Sequence, residues 1–328
     1  MTAAPAPSLD AAHDVSRRIT QLSVATAVVL ILLKAFALGM SGSVSILATL
    51  ADSSLDLVAS LAAFFAVRWA AAPADEEHRY GHGKAEALAG LVQSGLIFSS
   101  AFFIGWEAIK RMIDPQPVTA GGWAVGVVVL SILVTTGLVW LQTQALKKTR
   151  SMAVEGDRAH YVADLTANVV VLIGVISGAW LKAPGLDAAA GLIVAVWLFW
   201  GAWGLMRSSA DHLLDRTVPD TERAQIVSTV LSDNRIMGLH QLRTRMVGQT
   251  LMIQMHIDLD GSLSLNDAHD IVVAAEQRLM TMAPHADILI HADPRGGPDS
   301  GPNSPGNIEP ADLEPAVDAG AAARGPWS

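Results

Sequence analysis

The chain has 328 residues, 51% of them hydrophobic and only 16% charged, with a net charge of −9 and no cysteine. That balance places it among membrane proteins and offers no basic stripe for nucleic acid. Without a thiol there is no disulfide and no thiolate metal site, which argues against Cu(I), a soft cation that favours sulfur donors.

A bilayer core takes about 20 apolar residues per helix. Six runs reach that length: 19–40, 44–69, 85–113, 123–146, 162–181 and 186–206. The segment ahead of them lacks a basic cluster, and the first run is too long for a cleaved signal core. Arg17 and Arg18 precede the first run, and Arg79 and Lys84 separate the second from the third. Lys147, Lys148 and Arg150 lie between the fourth and fifth, and Arg207 follows the sixth. The positive-inside bias therefore predicts cytoplasmic N- and C-termini.

The second run carries Asp52 and Asp56, four residues apart and so stacked on one helix face about 6 Å from each other. The fifth opens on His160 and Asp164 at the same spacing. Three carboxylates and one imidazole make the four ligands of a tetrahedral zinc site. Each charge near a bilayer centre costs roughly 2.5–3.5 kcal/mol, so three uncompensated aspartates would cost roughly 8–10 kcal/mol. Helices carry such residues where they line an ion pathway. Hydropathy alone leaves His160 near the end of its run, so the two pairs need not share a depth.

Asp52-x3-Asp56 in a second helix with His160-x3-Asp164 in a fifth resembles the transport site of the cation diffusion facilitator family. The similarity runs from about Arg17 to Pro294 and is nearest to the bacterial zinc and iron efflux branch, which lacks a His-rich loop. Residues 147–158 here contain no histidine either. The resemblance implies a multi-pass homodimer of the bacterial inner membrane, a secondary active transporter rather than an enzyme. It would export Zn(II) in exchange for protons, with Fe(II), Cd(II), Co(II) and Mn(II) as alternative substrates.

The resemblance also assigns further residues. Asp75, His78 and His82, between Pro73 and the Gly81-His82-Gly83-Lys84 turn, match a second, loop metal site. Lys84 would pair with Asp215, just after the sixth helix, and tie the membrane and soluble domains together. His240, His256, His269, His291 and Asp293 match a binuclear cytoplasmic site. Seven of the ten histidines thus fall on metal positions, and His13, His212 and His285 do not.

After Arg207 the sequence turns mixed and charged. Residues 221–232 read as an amphipathic helix, 239–247 and 250–259 as strands alternating about Gly248-Gln249, 265–282 as a helix and 287–291 as a short strand. This is a small α+β unit, ferredoxin-like and similar to metallochaperones. From Arg295 onward Gly, Pro, Asp and Ala dominate without periodicity. The expected organisation is a disordered 1–16, a six-helix membrane domain at 17–210, a cytoplasmic metal-binding domain at 211–294 and a disordered 295–328.

Two other readings remain. A metal sensor or scaffold would bind at the soluble histidines without moving ions. An intramembrane protease would need aspartates on facing helices or a His-Glu-x-x-His motif, and Asp52 and Asp56 share one helix while the motif is absent.

Overall fold

The computed structural model describes residues 9–41, 44–113, 122–176 and 186–296. The chain divides into two compact units, Met1–Leu213 and Leu214–Ser328.

The first unit holds α1 (Leu9–Ser41), α2 (Val44–Ala70), α3 (Ala85–Ile113), α4 (Gly122–Leu146), α5 (Met152–Ile176) and α6 (Leu186–Leu213). All but α5 contain a described stretch long and apolar enough to cross a membrane. Helix α5 carries Glu155, Asp157, Arg158 and Asp164, so its apolar character is diluted where the other helices are continuous. Phe36, Phe65, Phe102, Phe103, Trp106 and Trp200 stand exposed on the outside of the unit. An apolar surface of that extent is suited to lipid rather than water.

Two boundaries correct the sequence reading. Helix α1 starts at Leu9, so residues 9–16 of the expected disordered segment are helical. Ala12 and Ser16 are buried there, and Asp10 in the first turn complements the helix dipole. Helix α5 starts at Met152, well ahead of the apolar run at 162–181. The hydropathy signal fails over its first turns because Asp157 is polar, yet Met152, Ala153, Val154 and Asp157 are all buried against neighbouring helices. The expectations for 1–8, 177–181 and 297–328 lie outside the described residues.

Small side chains set the helix spacing. Ala63, Ala66, Ala89, Ala145 and Ala153 meet in one cluster joining α2, α3, α4 and α5, and Ala101, Ala163 and Ala202 in another joining α3, α5 and α6. Close approach of backbones is how helices associate in lipid, where no hydrophobic force separates helix from solvent. Gly90 on α3 shows the tolerance: a Cβ there would stand 2.5 Å from Ser209 Oγ on α6.

The second unit is α7 (Asp220–Val230), β1 (Gly238–Val247), β2 (Thr250–Leu259), α8 (Leu265–Met282) and β3 (Asp287–Pro294). The sheet is three-stranded in the order β1-β2-β3, with β1–β2 antiparallel and β2–β3 parallel. Gly248 supplies the positive φ (59°) that the tight β1–β2 turn demands. Ser264 caps α8 by accepting from Asp267 N at 3.2 Å. Ile253, Met255, Ile257 and Leu259 alternate along β2 and bury with Ile226, Val230, Ile271 and Leu279 from the two helices. The intervening residues of β2, among them His256 and Asp258, are left on the opposite face. Asp233, after α7, accepts from Arg235 Nε at 2.9 Å and Nη2 at 2.8 Å, and from Arg278 Nη1 at 3.1 Å. The Arg235 hydrogen bonds hold its carboxyl below the usual carboxylate range.

Candidate metal centres

Three groups of His and carboxylate side chains, each with its ligand atoms within 4.8 Å of one another, occur among the described residues. The first lies inside the helical unit. His160 Nε2 stands 3.2 Å from Asp56 Oδ1 and 3.6 Å from Asp164 Oδ2, so α2 and α5 contribute to one cluster. His160 is 3% and Asp56 5% exposed. His160 Nδ1 and Asp164 Oδ2 are buried without a hydrogen-bond partner in the structure. Buried polar atoms are nearly always satisfied, so the unpartnered Asp164 Oδ2, beside His160 Nε2 and Asp56 Oδ1, leaves acceptor capacity that fits a cation needing O and N ligands. Asp52, one turn from Asp56, is exposed and lies outside this group of three.

The second group is on the α2–α3 connection. Asp75 Oδ1 is 3.4 Å from His78 Nδ1, and Asp75 Oδ2 is 3.3 Å from His82 Nε2. Asp75 Oδ1 also accepts from the His78 and Glu77 backbone N–H groups at 2.6 and 2.9 Å. The His78 N–H is the main reason its carboxyl is held below its ordinary range, which keeps it ionised for a cation. The two imidazoles are 4.6 Å apart, with Trp69 packed against both. His82 is buried and its Nδ1 has no hydrogen-bond partner in the structure.

The third group is built by strand register. His240 on β1 lies opposite His256 on β2, which lies beside His291 on β3, forming a histidine row across the sheet. A β-bulge between His240 and Arg243, with Gln241 at φ 50°, re-aims the start of β1. Asp293 is the hub: its carboxylate is 2.8 Å from His256 Nδ1, 3.2 Å from His291 Nε2 and 3.4 Å from His240 Nε2. His240, His256 and Asp293 form the compact group. His240 is fully buried and neither ring nitrogen has a hydrogen-bond partner in the structure. His269 is on α8, exposed and outside the group.

Lys84 Nζ donates to the Leu213 carbonyl at 3.3 Å, and Asp215 accepts from Arg245 Nη1 at 3.1 Å.

Sequence reasoning missed several residues around these centres. Asp157, three residues before His160, is buried and accepts from Ser60 Oγ at 3.0 Å and Gln142 Nε2 at 2.8 Å. Tyr161 OH lies 3.0 Å from Ser60 Oγ and donates to the Ser23 carbonyl at 3.1 Å, so the network joins α1, α2, α4 and α5. The i, i+3 spacing to His160 was the available signal. Asp258 is buried 3.7 Å from His240 Nδ1, and its place two residues after His256 on the same strand face was the clue. Lys34, a lone charge within the first apolar run, was also passed over.

Residues 20–214 match the cation efflux transmembrane domain and residues 218–295 the cation efflux protein cytoplasmic domain. The chain is 43% identical over 277 residues to the cation-efflux pump FieF of Shewanella oneidensis, covering 84% of this chain and 93% of that protein. It is 39% identical over 285 residues to the cation-efflux pump FieF of Cronobacter sakazakii, covering 86% of this chain and 95% of that protein. Among solved structures, the metal-bound C-terminal domain of the CzcD transporter from Thermotoga maritima aligns at 26% identity with a TM-score of 0.23, over 25% of this chain and 99% of that domain.

Proposed function

The chain belongs to the cation efflux, or cation diffusion facilitator, family of membrane transporters, and on that premise we propose that it exports Zn(II) in exchange for protons. The observation that carries the substrate site is the buried convergence of Asp56, His160 and Asp164 from two helices. Asp52, a turn away on α2, is the fourth ligand in this reading and joins when an ion draws the carboxylates together. Oxygen and nitrogen donors in that number suit Zn(II) and Cd(II), with Fe(II), Co(II) and Mn(II) as competing substrates.

Three ionised carboxylates give the site a charge of −3, and one divalent ion leaves −1. With no metal, the same groups must take up protons to be tolerable in an apolar surrounding. Metal and protons therefore compete, and exposing the site alternately to the two sides of the membrane couples their fluxes in opposite directions. The loop group and the histidine row are further metal sites in this reading, both cytoplasmic. The row, with the exposed His269 available to a second copy, stabilises a homodimer.

The test is zinc uptake into proteoliposomes with and without an imposed pH gradient. Antiport predicts uptake that follows the gradient and collapses with a protonophore. Tight zinc binding without gradient-driven flux would instead make the protein a sensor or scaffold.

A further inference from the structure

One buried charge in the helical unit has no task in the transport cycle described above. Lys34 of α1 is 5% exposed, and its Nζ donates to Ser53 Oγ at 2.6 Å and to the Thr49 carbonyl at 3.1 Å. Both acceptors belong to α2. Positions 49, 52, 53 and 56 follow the i, i+3, i+4, i+7 spacing of a single helix face, so the acceptors of Lys34 and the carboxylates Asp52 and Asp56 share one stripe.

A hydrogen-bonded tie between two membrane helices needs no charge; a serine or an asparagine makes one. An ammonium within an apolar helix is costly unless a negative charge compensates it, and such residues face the interior of a bundle or an ion pathway. A hydroxyl and a carbonyl engage two of the three donors of Lys34 but do not neutralise it. The negative charges on the stripe that receives it are those of the proposed transport site.

We propose that Lys34 is the fixed counter-cation of the transport site, matching its carboxylates to the charge of a divalent ion. This rests on the assignment of Asp52, Asp56, His160 and Asp164 as that site. Three carboxylates and one ammonium sum to −2, and one divalent ion brings the sum to zero. The lysine thereby weakens the hold of the carboxylates on the ion, so that the ion is bound and still released. Lys34 is a positioning and charge-setting residue and does not itself ligate the metal.

The experiment is zinc uptake by the full-length protein in proteoliposomes at one fixed pH gradient, for wild type, Lys34→Met, Lys34→Gln and Lys34→Arg. Removing one positive charge beside a divalent ion in a medium of intermediate dielectric strengthens its binding by about tenfold or more. Lys34→Met should lower KM by about that factor and lower kcat with it, because release slows; Lys34→Arg should keep both near wild type. Lys34→Gln retains a donor to Ser53 and should behave as Lys34→Met, which keeps the test open if the apolar variant does not accumulate. A merely structural tie predicts the reverse: kcat falling with KM unchanged or raised, and Lys34→Gln milder than Lys34→Met. Unchanged or raised KM in the neutral variants overturns the counter-cation alone, whereas wild-type transport by Asp56→Ala overturns the site assignment beneath it.

Discussion

Replacing Asp293 by alanine should cost the histidine row most of its metal affinity. The carboxylate reaches three imidazoles, at 2.8, 3.2 and 3.4 Å, and supplies one of the three ligand atoms of the compact group. Four-ligand structural zinc sites bind with about 10–16 kcal/mol, or roughly 3 kcal/mol per ligand. The side chains of Asp293 and His256 are 14% and 30% exposed, so water replaces part of what the carboxylate gives, and about 2–3 kcal/mol is the expected loss. That corresponds to about 30- to 150-fold weaker binding. Chelator competition on full-length protein carrying Asp56→Ala and His82→Ala, which empties the other two centres, isolates this site. A change below about threefold on adding Asp293→Ala would refute the placement of Asp293 as hub.

Gly90→Ala should lower the unfolding temperature in detergent by the equivalent of about 1–3 kcal/mol, since its Cβ would meet Ser209 Oγ at 2.5 Å; adding Ser209→Ala should restore most of the loss. Asp157→Ala, which takes one acceptor each from Ser60 and Gln142 and leaves them Tyr161 OH and Ser23 Oγ, should cost about 1–3 kcal/mol, and an unchanged unfolding temperature would show that the network is not closed. Asp233→Asn should destabilise the second unit by about 1 kcal/mol at neutral pH. The folded carboxyl of Asp233 is depressed, so its contribution is present above the ordinary carboxylate value of about 3.9 and is lost as pH falls through the folded value. Amide exchange of the second unit should therefore show a gap between variant and wild type that is full at pH 7 and narrower at about pH 2; a gap that does not narrow in acid would contradict the ion-pair origin.

The parts of this structure legible in the sequence were those with a short-range signature. Asp52-x3-Asp56 and His160-x3-Asp164 stand out because charge is rare in apolar runs, and α8 takes the bounds 265–282 that the sequence pattern gives it. What was not legible depended on neighbours distant in the chain. The first turns of α5 looked like loop because Asp157 and Arg158 interrupt the hydropathy, yet Asp157 is embedded among Ser60 and Gln142. Spacing placed Asp52 beside Asp56, whereas the α2–α5 packing gathers only Asp56 with His160 and Asp164. The histidine row needs the β1–β2–β3 register and a bulge at Gln241, which strand alternation alone does not specify. Lys34 carries no short-range signature, and its place is set only by Thr49 and Ser53 of the next helix.

The central claim is that ions cross through the carboxylate and histidine cluster between α2 and α5. The most direct measurement is gradient-driven zinc flux by wild type and Asp56→Ala, reconstituted at equal density with the histidine row intact. The account predicts that flux falls to the level of protein-free liposomes in the variant while zinc binding in the second unit persists. Flux surviving at the wild-type rate would mean that the pathway runs elsewhere.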